Sequence, residues 1–520
     1  MELVWHRGYE DYEDSAWTAR KNYLTGIWQN LSAEKAAGME TVPLMDGLES
    51  IEELMRYYAS VKDFENLEPL MRSYEPLLEL LRHRNPDNTG YWYLEMEYSR
   101  LNALLYLNQG SNQQAIQYYS QALHFGENCF SRLQSEEAFY DGEQRLYLAW
   151  SCAECRNEMA VACERILDTP GMYRVLTASL PLLQYAEEYL GDADGICEKI
   201  ADFYARIGAI FYQYNNYADG NQCYEKARNL FDQLADKLSF DFYRARALWI
   251  QSLHGIDAFL RTGNTDIMLN CERSVTQFLE SGVSGHGRAV AEGALAMTCM
   301  QRGNAIQQAG GDIKEAIRWT EKSVNLFGNS HEALEKECQN LESSTAKGIL
   351  SDIAARLYNT GITAMEVLGV QYYAAGQGDE AQSLFEQVLA MLTDTNGFHV
   401  AESASLVLRA ESCHYLALLA ADADDRYKAD FYGTQAMNFG EEAAQKTGNP
   451  AAWQIVIISA SLVSEIAAIT KEKLKMSTAA ARGLAACDEL ARLMPEHGIL
   501  SMRSNLEKRI KKSSKRFFGF

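Results

Sequence analysis

The sequence predicts an all-α protein built as an α-solenoid of antiparallel helix pairs. Apolar residues recur at helical spacing through long segments such as residues 136–167, without a convincing series of alternating strands. Proline is scarce, with eight in 520 residues and none between Pro181 and Pro450, whereas short Gly, Asn and Asp clusters punctuate the chain. Small residues also recur inside the helical pattern, which indicates closely packed helices.

Along the chain, we predict five segments. They are an N-terminal helical cap (1–45), divergent helix pairs (46–170), a more regular array (171–445), C-terminal capping helices (446–507) and a basic, aromatic tail (508–520). The array is expected to bend or divide near residues 168–174 and 281–288, where Gly and Pro interrupt the helical pattern.

The clearest helix pair begins at Ile362. When Ile362 is counted as position 1, Gly369 falls at position 8 and Ala381 at position 20 of the pair. Glycine inside a helix costs about 1 kcal/mol relative to alanine, so another interaction has to offset this cost. Two small residues at these positions allow the helices to approach closely. Large residues then fill the space around the contact (Met365, Leu368, Tyr372, Phe385 and Val388).

The same arrangement recurs in a second good copy and in several partial ones. The copy beginning at Ala201 has Gly208 at position 8 and Gly220 at position 20. Weaker copies carry the pairs Ala103 and Ala115, Gly303 and Ala316, Ala417 and Ala429, and, in a degenerate form, Tyr58 and Leu67. This pattern resembles the tetratricopeptide repeat (TPR), with a period of about 34 residues, in a divergent array of the bacterial type. The resemblance covers about half of the chain, and the irregular spacing of the copies argues against a uniform superhelix.

The resemblance also implies a ligand-binding groove. In TPR arrays the first helix of each pair lines the concave surface, where positions 2, 5, 9, 12 and 13 face the ligand. The residues that we assign to this groove are Asp202, Tyr212, Gln213, Glu366, Tyr373 and His414. Tyr212 and Tyr373 occupy position 12 and are expected to project into the groove as aromatic anchors.

The groove residues indicate the kind of ligand. In these copies, no lysine, arginine or asparagine occupies the groove positions, so we do not expect the clamp that binds chaperone C-terminal carboxylates in this family. An extended or helical protein segment with apolar anchors and some basic character fits better.

The motifs that suggest chemistry are weak. Cys152 and Cys155 form a single CxxC, but a zinc site usually needs four ligands, and the sequence has neither a second CxxC nor a histidine near this pair. We therefore predict no metal site, no cofactor and no catalytic residues. The glycine-rich residues 281–288 are read as a turn between helices, and the acidic residues 9–14 as favourable charges before the first helix.

The charge distribution separates the C-terminus from the rest of the chain. The net charge of −23 argues against nucleic acid as the main ligand. The tail has the opposite sign, and its basic residues are Lys508, Arg509, Lys511, Lys512, Lys515 and Arg516. It could contact anionic lipid, nucleic acid or an acidic partner, fold back onto the acidic array, or simply be a solvated end.

The leading hypothesis is a cytoplasmic, non-enzymatic adaptor that binds a protein or peptide segment in its groove. Eleven cysteines without a regular framework favour reduced thiols, and the N-terminus does not have the pattern of a secretory signal. The uncharged run of residues 447–464 is expected to be a buried helix. Alternatives are a membrane-surface scaffold held by its tail and a peptide-sensing regulator. An enzyme is disfavoured because we recognise no catalytic set of residues in the sequence.

Overall fold

The computed structural model describes residues 15–60, 63–135, 142–166, 168–190, 194–238, 240–340, 344–393, 402–447, 449–494 and 498–514. Within these ranges the chain forms helices and turns, and no strand is assigned. The all-α prediction is therefore confirmed. The acidic residues 9–14 lie outside the described residues.

The chain divides into two compact units. Unit 1 comprises Met1–Asp257 with Glu335–Ser351, and unit 2 comprises Ala258–Leu334 with Asp352–Phe520. The helices up to the division are α1 (Ser15–Asn30), α2 (Ala33–Ala37), α3 (Thr41–Ser60), α4 (Phe64–Arg84), α5 (Thr89–Asn108), α6 (Asn112–Ser135), α7 (Gly142–Arg165), α8 (Thr169–Ala178), α9 (Leu180–Leu190), α10 (Asp194–Gln213), α11 (Tyr217–Leu238) and α12 (Asp241–Thr262). The division falls within α12, and the five segment boundaries expected from the sequence stay predictions.

The remaining helices follow in the same antiparallel manner. They are α13 (Thr265–Glu280), α14 (Gly285–Gln308), α15 (Ile313–Asn340), α16 (Ser344–Ala374), α17 (Gly378–Thr393), α18 (Glu402–Asp422), α19 (Arg426–Thr447), α20 (Pro450–Ile469), α21 (Lys473–Leu493) and α22 (Arg503–Ser514), with a 3-10 turn at Gly498–Met502 before α22. Consecutive helices pack on one another: α5 on α6 and α10 on α11 in unit 1, and α18 through α22 in unit 2. The chain is thus a helical repeat array.

Close packing at the small residues confirms the repeat register. On α16, a Cβ atom added to Gly369 would lie 2.9 Å from two ring atoms of Phe385 on α17. Such a distance is shorter than van der Waals contact, so the ring of Phe385 occupies the space that a side chain would need. Ala381 and Phe385 are fully buried. The cost of glycine within α16 is therefore offset by the packing of an aromatic ring on the helix backbone.

Helices α10 and α11 pack closely in the same way, and here both small residues are glycines. A Cβ atom on Gly208 would lie 3.1 Å from the ring of Tyr224 and 3.2 Å from the carbonyl oxygen of Gly220. On α14, a Cβ atom on Gly303 would lie 2.9 Å from the carbonyl oxygen of Ala316 on α15. Each of the three glycines found in the sequence at position 8 thus marks a close helix contact.

The turn at residues 281–284 separates α13 from α14, as the sequence predicts. Gly282 has φ +92° and Gly285 has φ +61°, a left-handed conformation that residues with side chains rarely adopt. The glycines of this segment are explained by the geometry of the turn.

Helix α20 is long and apolar enough to cross a membrane by composition, with a mean hydropathy of 1.8, and 56% of that stretch is buried inside the structure. It packs against α18, α19, α21 and α22. Val456 and Ile457 are fully buried in a cluster with Leu490 and Leu506. These contacts are those of a core helix and agree with the expectation for residues 447–464.

Candidate binding surface

The residues assigned to the groove lie in two groups, one in each unit. They are Asp202, Tyr212 and Gln213 in unit 1, and Glu366, Tyr373 and His414 in unit 2. Side chains of neighbouring helices meet them, and we call the resulting sets the unit 1 row (Glu198, Asp202, Tyr212, Tyr243 and Arg246) and the unit 2 row (Glu366, Tyr373, Glu411, His414 and Asp422). The first row lies on α10 and α12, and the second on α16 and α18. In both rows, side chains of alternate helices meet.

In the unit 1 row, the carboxylate charge is neutralised within the protein. Asp202 forms an ion pair with Arg246, whose side chain is 3% exposed and whose guanidinium lies 5.0 Å from the centre of the Phe231 ring. Burial raises the pKa of Glu198, which accepts a hydrogen bond of 3.2 Å from the hydroxyl of Tyr243. A cationic ligand would therefore have to compete with Arg246 for Asp202.

Tyr212 differs from its prediction. It is buried, with only 9% of its surface exposed, and its hydroxyl donates a hydrogen bond to Oδ1 of Asn221. A Cβ atom on Gly220 would lie 2.7 Å from the ring of Tyr212. The small residue at position 20 therefore makes room for the ring at position 12, so the expectation that Tyr212 projects into an open groove is wrong. Its neighbour Gln213 is exposed.

The ring of Tyr212 belongs to a polar network. His254 Nε2 lies 2.8 Å from the Oδ1 atom of Asn221 that also accepts the hydrogen bond from Tyr212. Burial lowers the pKa of His254, so its imidazole is neutral at pH 7 and Nε2 carries the proton in this arrangement. The network fixes the side chains between α10, α11 and α12 and gives Tyr212 a structural role.

Partly buried ion pairs continue on neighbouring helices of unit 1. Arg100 on α5 lies 2.7 Å from Glu154 and 2.6 Å from Glu158 on α7, and Lys199 on α10 lies 2.9 Å from Glu154. Burial acts to raise the pKa of Glu154, but Lys199 and Arg100 hold it below its ordinary value. The carboxylates on α7 are thus matched by cations of the chain itself.

The unit 2 row carries carboxyls of a different kind. Glu366 on α16 is only 7% exposed, and Glu411 on α18 lies near it. Burial, followed by the repulsion of Glu411, raises the pKa of Glu366, and burial also raises the pKa of Glu411. Among the described residues, no lysine or arginine forms an ion pair with either carboxyl. This part of the surface therefore holds one buried and one partly buried carboxyl, and no cation in the described part of the chain pairs with them.

His414 and Tyr373 lie on the same two helices as these carboxyls, His414 on α18 and Tyr373 on α16. His414 is 8% exposed, its Nδ1 lies 3.0 Å from Oγ of Ser459 on α20, and burial lowers its pKa to about 4. Tyr373 is half-buried and donates a hydrogen bond of 3.2 Å to Asp422. The structure brings Glu366, Tyr373 and His414 together with Glu411, but Glu366 and His414 are more buried than the groove assignment implies.

Sequence reasoning missed the partners Arg246, Asp422 and Ser459. The signal for two of them is a constant separation: Asp202 and Arg246 are 44 residues apart, and His414 and Ser459 are 45 apart. Tyr243 and Glu198 are also 45 apart. These three contacts between alternate helices span 44–45 residues, longer than the period of about 34 residues expected for the repeat, whereas Tyr373 and Asp422 are 49 residues apart.

The cysteine pair lies in the core. Cys152 and Cys155 on α7 are fully buried, and their thiols point to Sδ of Met96 at 3.9 Å and to the carbonyl oxygen of Tyr119 at 3.8 Å. Burial raises the pKa of both thiols. Among the described residues, no group of three or more His, Cys, Asp or Glu side chains is placed to hold a metal ion.

A cleft of about 460 Å³ lies elsewhere in unit 2, between α13 and α14. Its charged residues include Glu272 and Arg302, which form an ion pair of 2.8 Å, and the guanidinium of Arg302 lies 3.9 Å from the centre of the Trp319 ring. These interactions hold Arg302 in place, and the other charged residues of the cleft, Arg273 and Glu280, are exposed.

No family model matches this chain, and no curated protein does. Among solved structures, a signal-transduction ATPase (STAND) protein with a tetratricopeptide repeat sensor from Pyrococcus horikoshii is 13% identical, with a TM-score of 0.38, over 91% of this chain and 67% of that chain. The human IFIT1 dimer with m7Gppp-AAAA is 11% identical, with a TM-score of 0.33, over 99% of this chain and 97% of the other. The Cut9–Hcn1 hetero-tetramer of APC/C is 12% identical, with a TM-score of 0.23, over 95% and 96%.

Because these TM-scores are below 0.5, we assign the fold from the helix packing of this chain and not from those structures. Close contacts between small residues at positions 8 and 20, aromatic packing at position 24 and antiparallel helix pairs define a TPR-like helical repeat protein. No ligand follows from the proteins named above.

Proposed function

We propose that the chain is a non-enzymatic scaffold that binds a protein or peptide segment with basic character on the unit 2 row. The observation that carries this proposal is the buried carboxyl of Glu366 beside the partly exposed carboxyl of Glu411, since no described cation neutralises either of them. Half-buried Tyr373 lies on the same row and offers an aromatic face beside these acidic groups. The cytoplasmic localisation is part of the same proposal.

Ligand binding would change the protonation of the row. A lysine or arginine placed beside Glu366 favours its ionised form and lowers its pKa, so binding releases a proton. Affinity for a basic segment is therefore expected to rise as the pH rises through the range in which Glu366 titrates. The unit 1 row has no such response at Asp202, because Arg246 already neutralises that carboxylate.

A displayed library of random peptides, panned on the wild type and on two variants, tests this proposal. The wild type should enrich peptides in which a lysine or arginine accompanies apolar or aromatic residues, and the Glu366→Lys variant should not. Glu386→Lys is the matched control, because Glu386 is an exposed residue on the neighbouring α17. Enrichment of the same peptides by the Glu366→Lys variant, or of peptides without basic residues by the wild type, would contradict the proposal.

A further inference from the structure

Four residues of α18 form a stripe along the unit 2 row. The residues four, seven and eleven positions after Glu411 are Tyr415, Leu418 and Asp422. Because a helix turns by about 100° per residue, these separations place the four side chains within about 60° of one another around the helix. Glu411, Tyr415 and Leu418 are half-buried, and Asp422 is exposed. The α18 stripe therefore has a carboxyl at each end and apolar surface between them.

Helix α16 supplies matching groups beside the α18 stripe. The centre of the Tyr373 ring lies 5.6 Å from that of Tyr415, and the hydroxyl of Tyr373 donates a hydrogen bond of 3.2 Å to Asp422. Seven residues before Tyr373, Glu366 lies near Glu411. Carboxyls from both helices thus lie at one end of this surface, aromatic rings from both lie in its middle, and Asp422 lies at the other end.

The carboxyls at both ends lack a cation within the described part of the chain. Glu366 is only 7% exposed, and among the described residues no hydrogen bond or ion pair reaches its carboxyl. A buried carboxyl without such partners is costly, so this position favours a donor supplied by a ligand. No described cation pairs with Asp422 either, and the nearby Arg426 and Lys428 pair instead with the two aspartates of the following turn.

The length of the α18 stripe favours a helical ligand. At about 1.5 Å per residue, the eleven residues from Glu411 to Asp422 span about 16 Å. A ligand helix presents residues at these same separations on one of its own faces, so it matches the stripe along its whole length. An extended segment would cover this length in about five residues, and residues five positions apart point to opposite sides of a strand.

We propose that the ligand of the unit 2 row is an amphipathic helix with two basic residues eleven positions apart and apolar residues four and seven positions after the first. This inference rests on the function proposed above and adds the conformation of the ligand and a second basic contact. One basic residue neutralises Glu366 and Glu411, and the other pairs with Asp422. The apolar residues between them pack on Tyr415 and Leu418. Because the intervals of four, three and four residues read the same in both directions, the ligand helix can lie parallel or antiparallel to α18.

Three stapled, alanine-rich helical peptides test this ligand by fluorescence anisotropy with the full chain. All three carry a lysine at the fourth position and leucines at the eighth and eleventh. The first has its second lysine at the fifteenth position, in register with the α18 stripe. The second peptide has that lysine at the thirteenth position, on the opposite face of the helix, and the third has glutamine at the fifteenth. The wild type should bind the first peptide about two- to fivefold more tightly than the others, which is the contribution of one exposed ion pair.

Replacing Asp422 with asparagine assigns this difference to one carboxylate. Asparagine keeps an acceptor for the hydroxyl of Tyr373 and removes the charge, so Asp422→Asn should bind the first and third peptides equally. The matched control is Asp266→Asn, which removes an exposed carboxylate on α13 and should keep the full difference. Thermal unfolding of both variants checks that the fold is intact.

Two results would overturn this inference and leave the proposed function standing. The first is a wild type that binds all three peptides equally while Glu366→Lys still weakens their binding. The second is an Asp422→Asn variant that keeps the preference for the first peptide. A first peptide that fails to bind the wild type, or binds Glu366→Lys as tightly, would instead refute the function proposed above together with this inference.

Discussion

Replacing Glu366 with glutamine should change the pH dependence of stability. In the folded chain, burial and Glu411 raise the pKa of Glu366 to about 8, whereas an unfolded chain has the ordinary value near 4.5. Between these two values the unfolded state releases its proton first, so the free energy of unfolding falls as the pH rises. Glutamine has nearly the same shape as glutamate and no charge. The substitution should therefore remove this fall in the free energy of unfolding and leave the stability at pH 5 nearly unchanged.

The size of the effect follows from the pKa difference. One pKa unit corresponds to about 1.4 kcal/mol, so the full difference would give an upper limit of about 5 kcal/mol. Glu411 is partly exposed, and water near it weakens the repulsion between the two carboxyls. We therefore expect Glu366→Gln to be about 2 kcal/mol more stable than the wild type at pH 9. For a unit of this size, that difference raises the midpoint of thermal unfolding by about 4–8 °C.

Calorimetric scans at pH 5, 7 and 9 measure this difference directly. The matched control is Glu386→Gln, since Glu386 is exposed on α17 and its replacement should give a difference that does not vary with pH. The reasoning would be refuted if the melting temperature of Glu366→Gln differed from that of the wild type by the same amount at all three pH values. So would a variant less stable than the wild type at pH 9, because it would mean that the carboxylate is stabilised in the folded chain.

The other predictions concern packing and the cysteine pair. Gly369→Leu should lower stability by roughly 1–3 kcal/mol in urea unfolding through its clash with Phe385, whereas Gly328→Ala, in open space on α15, should not lower it. Tyr212→Ala should cost about 3 kcal/mol, and Tyr373→Ala clearly less, because Tyr373 is half-buried; equal losses in melting temperature would contradict this ranking. Elemental analysis should find no stoichiometric zinc bound at Cys152; one zinc per chain, lost on Cys152→Ala, would contradict it.

The fold could be predicted from the sequence because its determinants are local. Helical spacing, scarce proline and turn glycines act within a few residues, and the contact between Gly369 and Phe385 spans a single helix pair. The pair α8 and α9, which lies in a segment without a recognised repeat copy, is still helical because the same local rules hold there. Asp168 caps α8 by accepting a hydrogen bond from the backbone N–H of Gly171, which is a sequence-readable signal.

The sequence predicted which residues belong to the candidate site better than it predicted how exposed their side chains are. The groove assignment follows the angle of a residue around its own helix, and Glu366 and His414 do face the neighbouring helices. Exposure depends in addition on what the next helix pair brings to the same place. The partners of Asp202, His414 and Tyr373 lie 44, 45 and 49 residues away, and a pattern confined to one helix pair contains no information about them.

The two rows show why this distinction matters for function. Position 2 of the array holds Asp202 in unit 1 and Glu411 in unit 2, so the sequence pattern treats these acidic residues as equivalent. The following alternate helix, α12, brings Arg246 to Asp202, whereas Glu411 meets another carboxyl, Glu366, on the preceding alternate helix, α16. The first arrangement is complete within the folded chain, and the second becomes favourable for ionised groups only when a cation arrives. Arginine placed opposite Glu366 on α18, as in Glu411→Arg, would give Glu366 a cation from the following alternate helix, as Arg246 does for Asp202. This variant should fold, lose the pH-dependent instability of the row and no longer select basic peptides, whereas retention of that selection would show that the ligand binds elsewhere.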